Sequence, residues 1–148
     1  MKTIIKDFPE ISRVSPDVIQ INVGKKCNQT CTHCHVSAGP DREEDLEYET
    51  AQKIIQFAEK YHFKTADITG GAPEINKQFP LLLERLSDLC DEVIVRCNLT
   101  AAMTRRKSIG DLFQKFRPHL VASMPCYEEG NVDKQRGDGV FDKSIKAL

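Results

Sequence analysis

The sequence predicts an α/β fold built on a parallel β-sheet, and three observations support this prediction. Four short β-prone runs occur along the 148 residues, and amphipathic helical patterns lie between them. The later runs begin about 27 residues apart, which is a normal spacing for βα units. Alternating strands and helices are typical of parallel sheets with right-handed crossovers. The length allows one domain of ordinary size.

The β-prone runs are apolar or β-branched along most of their length. This composition is typical of strands that are buried on both faces of a parallel sheet. Four parallel strands also leave an open sheet edge, which is an association hazard. The predicted strands cover residues 18–23, 65–69, 92–97 and 120–124.

Helical patterns follow each predicted strand. Apolar residues recur on one face of residues 50–60 and of residues 80–90, as they do in amphipathic helices. Asp111 is placed to cap a short third helix, and a fourth begins near Val140. Residues 131–139 contain two glycines and several charges, so we expect a flexible loop there that covers the site as a lid.

The end of the sequence falls inside a helical pattern, at residues 143–148, with no capping or stop signal. Together with the open sheet edge, this pattern favours a partial parallel (β/α) barrel of about four strands, open at its C-terminal edge. We therefore interpret residues 1–148 as the N-terminal part of a larger barrel domain. A native short form is the alternative.

Composition excludes several classes of function. The net charge is −1, so no excess of basic charge favours nucleic acid or an anionic membrane as a partner. The N-terminus has no apolar run of signal-peptide length, and nothing approaches the roughly 20 apolar residues of a membrane span. We expect a cytoplasmic protein. Six cysteines in such a protein indicate metal or redox chemistry more than disulfides.

Three of these cysteines form the pattern Cys-x₃-Cys-x₂-Cys directly after the first predicted strand. They are Cys27, Cys31 and Cys34. Three thiolates suit a cluster of four irons and four sulfides that keeps one iron free of protein ligands. Zinc is the rival interpretation, since His33 or His35 could complete a Cys₃His site. Ordinary buried thiols are the third possibility.

A glycine pair follows the second predicted strand, in the sequence Gly70-Gly71-Ala72-Pro73. Paired glycines let the backbone approach a ligand closely, although they often only turn the chain. The carboxyl ends of parallel strands meet at one edge of a sheet, where such proteins place their sites. The glycine pair is thus a candidate for holding a polar amino-acid group beside the cysteines.

Together these motifs resemble the radical S-adenosylmethionine (SAM) superfamily. The cysteine triplet is similar to its cluster motif, and residues 70–73 are similar to its Gly-Gly-Glu-Pro motif, with Ala72 in place of the usual glutamate. The motif set more closely resembles the radical SAM proteins of arsenosugar biosynthesis, in their N-terminal half only. The segments that carry this resemblance are residues 22–24, 27–29, 34–36, 67–74, 96–100, 125–127 and 131–137.

The resemblance implies a [4Fe-4S] cluster and SAM as cofactors, with the cluster ligated by the three cysteines. It implies reductive cleavage of SAM to a 5′-deoxyadenosyl radical, which is joined to a trivalent methylated arsenical, a small-molecule substrate. It also implies a reduced flavodoxin- or ferredoxin-like electron donor. The positions that it places at SAM are His33, Gly70, Gly71, Ala72, Pro73, Asn98 and Ser123.

Two further cysteines are substrate candidates, because Cys97 and Cys126 fall at or just after the ends of predicted strands. Soft thiolates suit a soft arsenic centre, although we favour the alternative that both residues are small buried side chains. Two other functions stay open. One is a non-enzymatic zinc-binding module, and the other is a folded but inactive fragment, since family members have later barrel strands and a cysteine-rich C-terminal region.

Overall fold

The computed structural model describes Ser12 and residues 14–148. The four strands form one parallel sheet in the order β1-β2-β3-β4, which confirms the predicted α/β class. Consecutive strands are neighbours, so each connection crosses over the sheet and returns through a helix. The strands are β1 (Val18–Asn22), β2 (Thr65–Thr69), β3 (Glu92–Cys97) and β4 (His119–Ala122).

Six α-helices accompany the sheet in the described part of the chain. They are α1 (Tyr48–Tyr61), α2 (Phe79–Leu89), α3 (Leu99–Thr104), α4 (Arg106–Phe116), α5 (Glu129–Arg136) and α6 (Val140–Ile145), and a 3₁₀ turn covers Pro73–Ile75. The main core lies between the sheet and helices α1, α2 and α4. It contains Ile21, Ile55, Ile68, Phe79, Leu82, Leu86, Val95 and Ile109.

The two faces of the sheet differ in chemistry. Successive side chains of a strand point to opposite faces, so Ala66 and Ile68 enter the core while Asp67 lies on the other face. There the Asp67 carboxylate accepts hydrogen bonds from Arg96 Nη2 at 2.8 Å and Gln20 Nε2 at 3.0 Å. The described sheet therefore has one apolar face beneath the helices and one face with a polar network.

The expectation of strands buried on both faces is wrong for β3, where buried residues alternate with less buried ones, and for the two outer strands. All four residues of β4 are exposed, including Leu120 at 43% and Val121 at 39%. Only Ile21 of β1 is buried. In the described part of the chain each outer strand has a strand neighbour on one side only, which explains their exposure.

Two predicted details of the helices are corrected. Helix α4 begins at Arg106, so Asp111 lies inside the helix and is not its cap. The segment predicted as a flexible lid, residues 131–139, lies largely in helix α5. Val132 and Arg136 are four residues apart on this helix, and both are buried, so packing orders the segment.

None of the helices in the described residues is long and apolar enough to cross a membrane.

Candidate functional site

A cavity of about 230 Å³ opens where the carboxyl ends of the strands meet. It brings together the cysteine loop, the turn after β2, the residue after β3 and the residue after β4. The lining includes Cys27, Cys31, Cys34, His33, His35, Gly70, Gly71, Asn98, Ser123 and Arg136. The structure thus collects most of the predicted site residues around one space.

The backbone holds the cysteine loop against the end of the sheet. The amide of Cys27 donates to the carbonyl of Gly39 at 3.1 Å, and the amide of Gly39 donates to the carbonyl of Lys25 at 3.0 Å. The Lys25 amide in turn donates to the carbonyl of Glu44 at 2.7 Å. These bonds fold the loop back on the segment before α1 and fix the first thiol near the strand end.

The glycine pair joins this loop to β2. The Gly71 amide donates to the carbonyl of Gly24 at 2.8 Å, and the Ala72 amide donates to the carbonyl of Lys26 at 3.0 Å. A Cβ at Gly71 would overlap the Lys26 carbonyl, and Gly70 has a φ of +141°, which side chains rarely tolerate. The pair therefore lets the cysteine loop approach the sheet, beyond any contact that it makes with a ligand.

The three thiols are free in the structure, and polar hydrogens reach two of them. Asn98 Nδ2 donates to Cys27 Sγ at 3.4 Å, and the backbone amide of Ala38 donates to Cys34 Sγ at 3.3 Å. Burial raises the pKa of the Cys27 thiol, while hydrogen bonds from the Gln29 backbone and the Asn98 side chain oppose the rise. Such donors stabilise thiolates and tune the metal groups that they bind.

The donor set fits an iron–sulfur cluster. Within the described residues, no three His, Cys, Asp or Glu side chains converge as they would around a single metal ion. The three thiols instead line one cavity, and a cubane takes its thiolates at separate corners. Cys27, Cys31 and Cys34 would hold the cluster, and the lining contains no fourth cysteine. A cluster held by these three cysteines would keep one iron without a cysteine ligand.

Asn98 occupies a fixed position at the cavity wall. Its Oδ1 accepts from Thr100 Oγ1 at 3.0 Å and Arg136 Nη2 at 3.3 Å, while its Nδ2 also donates to Asn28 Oδ1 at 2.9 Å. The orientation of the Asn98 amide is determined because its Oδ1 faces hydrogen-bond donors and its Nδ2 faces acceptors. Asn98 is only 3% exposed, so it is a rigid donor to Cys27.

Glu74 lies behind Asn98 and has no exposed surface. Its Oε1 accepts the backbone amide of Asn98 at 2.9 Å, but its Oε2 has no hydrogen-bond partner. Burial raises the pKa of Glu74 to about 7. Glu74 is absent from the cavity lining, so this nearby carboxylate does not replace the side chain that Ala72 lacks.

The remaining predicted cofactor residues divide into two groups. His33 and Ser123 line the cavity, and their contact with SAM stays a prediction. Ala72 and Pro73 do not line it; both are buried, and Ala72 packs with Cys27, Ala38 and Ala101 beneath the cysteine loop. Contact of Ala72 and Pro73 with SAM stays a prediction, and the geometry favours packing for both.

The two substrate candidates lie outside the cavity. Cys97 is 2% exposed and points to the helix-covered face, because it follows Val93 and Val95 at a spacing of two. Burial, and then the charge of Glu74, raise the pKa of the Cys97 thiol strongly. Cys126 lines a different depression, with Met124, Tyr127 and Phe141. Neither thiol is placed to meet a ligand beside the three cysteines.

Arg136 is a charged residue of the cavity lining that sequence reasoning missed. It lies at the end of α5, in the segment predicted as a loop, and it is 5% exposed. A signal was available, since Glu128 and Glu129 precede this segment and Lys134 and Arg136 end it. Acidic residues at the start and basic residues at the end are typical of a helix.

Comparison with known proteins identifies the family. The family model of the "Radical SAM superfamily" matches residues 21–124. This range contains the three cysteines of the motif, the last two residues of β1 and the whole of β2, β3 and β4. The chain belongs to the radical SAM superfamily. Enzymes of this superfamily use a [4Fe-4S] cluster and SAM, so these are the cofactors that the family assigns to the site.

Curated relatives match nearly the whole chain at low identity. The "Probable GTP 3′,8-cyclase" of Pyrococcus abyssi is 27% identical over 130 residues, which cover 88% of this chain and 42% of that protein. The "Fe-coproporphyrin III synthase" of Methanosarcina barkeri is 24% identical over 141 residues, which cover 94% of this chain and 35% of that protein. Both relatives are enzymes. The chain spans less than half the length of either.

Solved structures confirm the fold. SuiB of Streptococcus suis bound to S-adenosylmethionine matches with a TM-score of 0.69 and 18% identity, over 89% of this chain and 30% of SuiB. SuiB bound to its precursor peptide SuiA matches with a TM-score of 0.70 and 19% identity, over 89% of this chain and 29% of SuiB. At this identity the likeness concerns the fold alone.

Proposed function

We propose that this chain forms the cluster- and SAM-binding part of a radical SAM enzyme. The observation that supports the proposal is the convergence of Cys27, Cys31 and Cys34 on one cavity at the carboxyl ends of the strands. When bound, the cluster and SAM supply reductive cleavage of the SAM sulfonium, which yields methionine and a 5′-deoxyadenosyl radical. The protein holds these groups and excludes water around them.

Each part of the cavity has a proposed role. The three thiolates ligate the cluster, and the donors Asn98 and Ala38 stabilise the charge on their sulfurs. The role proposed for His33 is packing against a flat ring such as adenine, which is supported by its exposure and its position in the cavity lining. Asn98 is already saturated by protein partners, so Ser123 is the more available polar group for the carboxylate or ribose of SAM.

The finer proposal concerns the substrate. The motif resemblance to the radical SAM proteins of arsenosugar biosynthesis favours a trivalent methylated arsenical as acceptor of the radical. This part rests on the motifs alone, because Cys97 and Cys126 lie away from the cavity. A reduced flavodoxin- or ferredoxin-like protein is the proposed electron donor. The curated relatives, by their names, act on different small molecules.

Anaerobic reconstitution with iron and sulfide tests the proposal. We expect wild-type protein to bind iron and sulfide in equal amounts, with a broad absorption near ~400 nm and, after reduction, a paramagnetic signal that SAM changes. Cys31→Ala should lose this signal. Cys90→Ala is the matched control, since Cys90 packs at the core and outside the cavity, and it should bind the cluster as wild type does.

The zinc alternative gives the opposite result. A colourless protein with stoichiometric zinc, unfolded by chelators and indifferent to air, would overturn the proposal. A cluster without any response to SAM would favour the inactive-fragment interpretation. Mass spectrometry for 5′-deoxyadenosine, with and without a methylated arsenite, then tests the finer proposal. Formation of an adenosyl arsenical supports it, and uncoupled 5′-deoxyadenosine alone contradicts it.

A further inference from the structure

A buried guanidinium forms part of the wall beside the three cysteines. Arg136 Nη2 donates to Gln29 Oε1 at 2.7 Å and to Asn98 Oδ1 at 3.3 Å. Its other terminal nitrogen, Nη1, is buried and has no partner. Both bonded partners are neutral amides that themselves touch the cysteine site. Arg136 thus reaches the cavity without an ion pair within 4 Å in the described residues.

Burying an arginine costs free energy because its charge loses water, so a nearby negative charge is needed to compensate for it. Glu74 is the acidic group on the far side of Asn98, and its attraction to Arg136 is weak compared with its burial. Burial raises the pKa of Glu74 to about 7, so at neutral pH this carboxyl is only partly ionised. The positive charge of Arg136 is therefore incompletely compensated by the protein.

The lysines beside the cysteine loop do not supply this charge to the cavity. Lys25 Nζ pairs with Glu44 Oε1 at 3.3 Å, and the Lys25 side chain is 40% exposed. Neither Lys25 nor Lys26 lines the cavity. A buried cation acts more strongly than an exposed one, because water and salt screen it less.

The end of helix α5 is fastened to the cysteine loop at a second point. The backbone amide of Thr32 donates to the carbonyl of Gln135 at 2.9 Å. This bond lies between Cys31 and Cys34 in sequence and one residue from Arg136 on the helix. The guanidinium therefore keeps a fixed position relative to the thiols, and an electrostatic effect requires such a position.

We propose that Arg136 is the buried counter-charge of the cysteine site, a positioning residue that acts through Gln29 and Asn98 on the loop and through its charge on the group that the thiolates hold. This inference rests on the proposed function. A fixed positive charge stabilises the more negative, reduced state of an iron–sulfur cluster. Arg136 then raises the reduction potential of the cluster through its charge.

The test compares Arg136→Gln, Arg136→Lys and Lys134→Gln in the reconstituted chain. Lys134 lies on the same helix and is exposed. Lys134→Gln therefore removes one positive charge, as Arg136→Gln does, but from a side chain that is in contact with solvent. The readout is the midpoint potential from an anaerobic redox titration followed by paramagnetic resonance. We expect Arg136→Gln to weaken the reduced state about tenfold, which lowers the potential by about 59 mV for one electron. Arg136→Lys should recover most of this, and Lys134→Gln should match wild type.

Each result decides the question. An unchanged potential in Arg136→Gln, or equal shifts in Arg136→Gln and Lys134→Gln, would overturn the inference while leaving the proposed function intact. If Arg136→Gln loses the cluster and Arg136→Lys keeps it, the requirement for charge is supported. Loss in both variants, with normal folding by circular dichroism, would show that shape and not charge matters. Absence of any cluster in wild type would overturn both proposals together.

Discussion

Replacing Glu74 with glutamine should stabilise the folded chain at and above neutral pH. The carboxyl has no exposed surface, and its Oε2 has no hydrogen-bond partner. Burial raises its pKa from 4.5 to about 7. Glutamine keeps the oxygen that accepts the amide of Asn98 at 2.9 Å, but it carries no charge to desolvate. The substitution therefore removes a cost and leaves the contact in place.

The magnitude follows from the two pKa values. The unfolded carboxyl ionises near 4.5 and the folded one near 7, so the folded state binds more protons between these values. The stability of wild type therefore falls as the pH rises through this window and becomes level above it. At about 1.4 kcal/mol for each pH unit, the ionised Glu74 costs the folded state about 3 kcal/mol above pH 7. Below pH 4.5 the cost is absent.

Urea unfolding at several pH values between 4.5 and 8 measures this effect. The free energy of unfolding of Glu74→Gln should exceed that of wild type by up to about 3 kcal/mol at pH 8, and the difference should vanish near pH 4.5. Glu84→Gln is the control, since its exposed pair with Lys115 is worth less than about 1 kcal/mol. A pH-independent difference between Glu74→Gln and wild type would refute the reasoning.

Two further predictions concern the attachment of the cysteine loop and the polar face of the sheet. Gly71→Ala should destabilise the fold by about 1–3 kcal/mol, because the new Cβ meets backbone, whereas Gly110→Ala in open space on α4 should stabilise it by about 0.5–1 kcal/mol. Thermal unfolding measures both, and equal effects would contradict the close approach. Asp67→Asn should cost about 1 kcal/mol at pH 7, and less as the pH falls through the pKa of Asp67, which Arg96 holds below its usual value against the effect of burial. Acid unfolding that is identical in the two proteins would contradict this.

The fold was predictable because its signals are local. The runs at residues 65–69 and 92–97 have the same bounds in the structure as in the prediction, since both are short and rich in apolar or β-branched residues. Burial of β4 was mispredicted, because exposure depends on neighbours and not on the composition of the strand itself. The apolar residues of β4, such as Leu120 and Val121, are buried only if another element covers them.

The candidate site was predictable to the extent that it follows strand ends. Cys27, Asn98 and Ser123 all come just after strands, and the parallel topology brings them to one edge. Cys97, a substrate candidate because of its place at a strand end, lies outside the cavity, and the sequence contained the reason. Alternation along β3 puts it on the same face as Val95, beneath the helices. The position of a residue along its strand predicts which edge of the sheet it lies near. Its odd or even place in the alternation predicts which face of the sheet its side chain is on.

Helix α5 was missed for a different reason. Its mean composition is polar, and glycines follow it, so the segment reads as a loop. What orders it is long-range packing, in which Val132 is fully buried and Arg136 reaches Gln29 across the site. Contacts between residues about a hundred positions apart leave no periodic signal in a local window. The charge gradient from Glu129 to Arg136 was the one local indication of a helix.

The backbone, more than the side chains, builds the cysteine site. The amides of Gly71 and Ala72 are used by the carbonyls of the cysteine loop, so they hold the loop and are not free for a ligand. Ala72 is buried beneath that loop and packs with Cys27. A small residue at this position is thus compatible with a formed cysteine site. These amides are donors, so their use by the loop takes away none of the acceptors that a bound amino group would need. Among the residues of the lining, Thr69 and Ser123 carry side-chain hydroxyl oxygens that can accept such a bond.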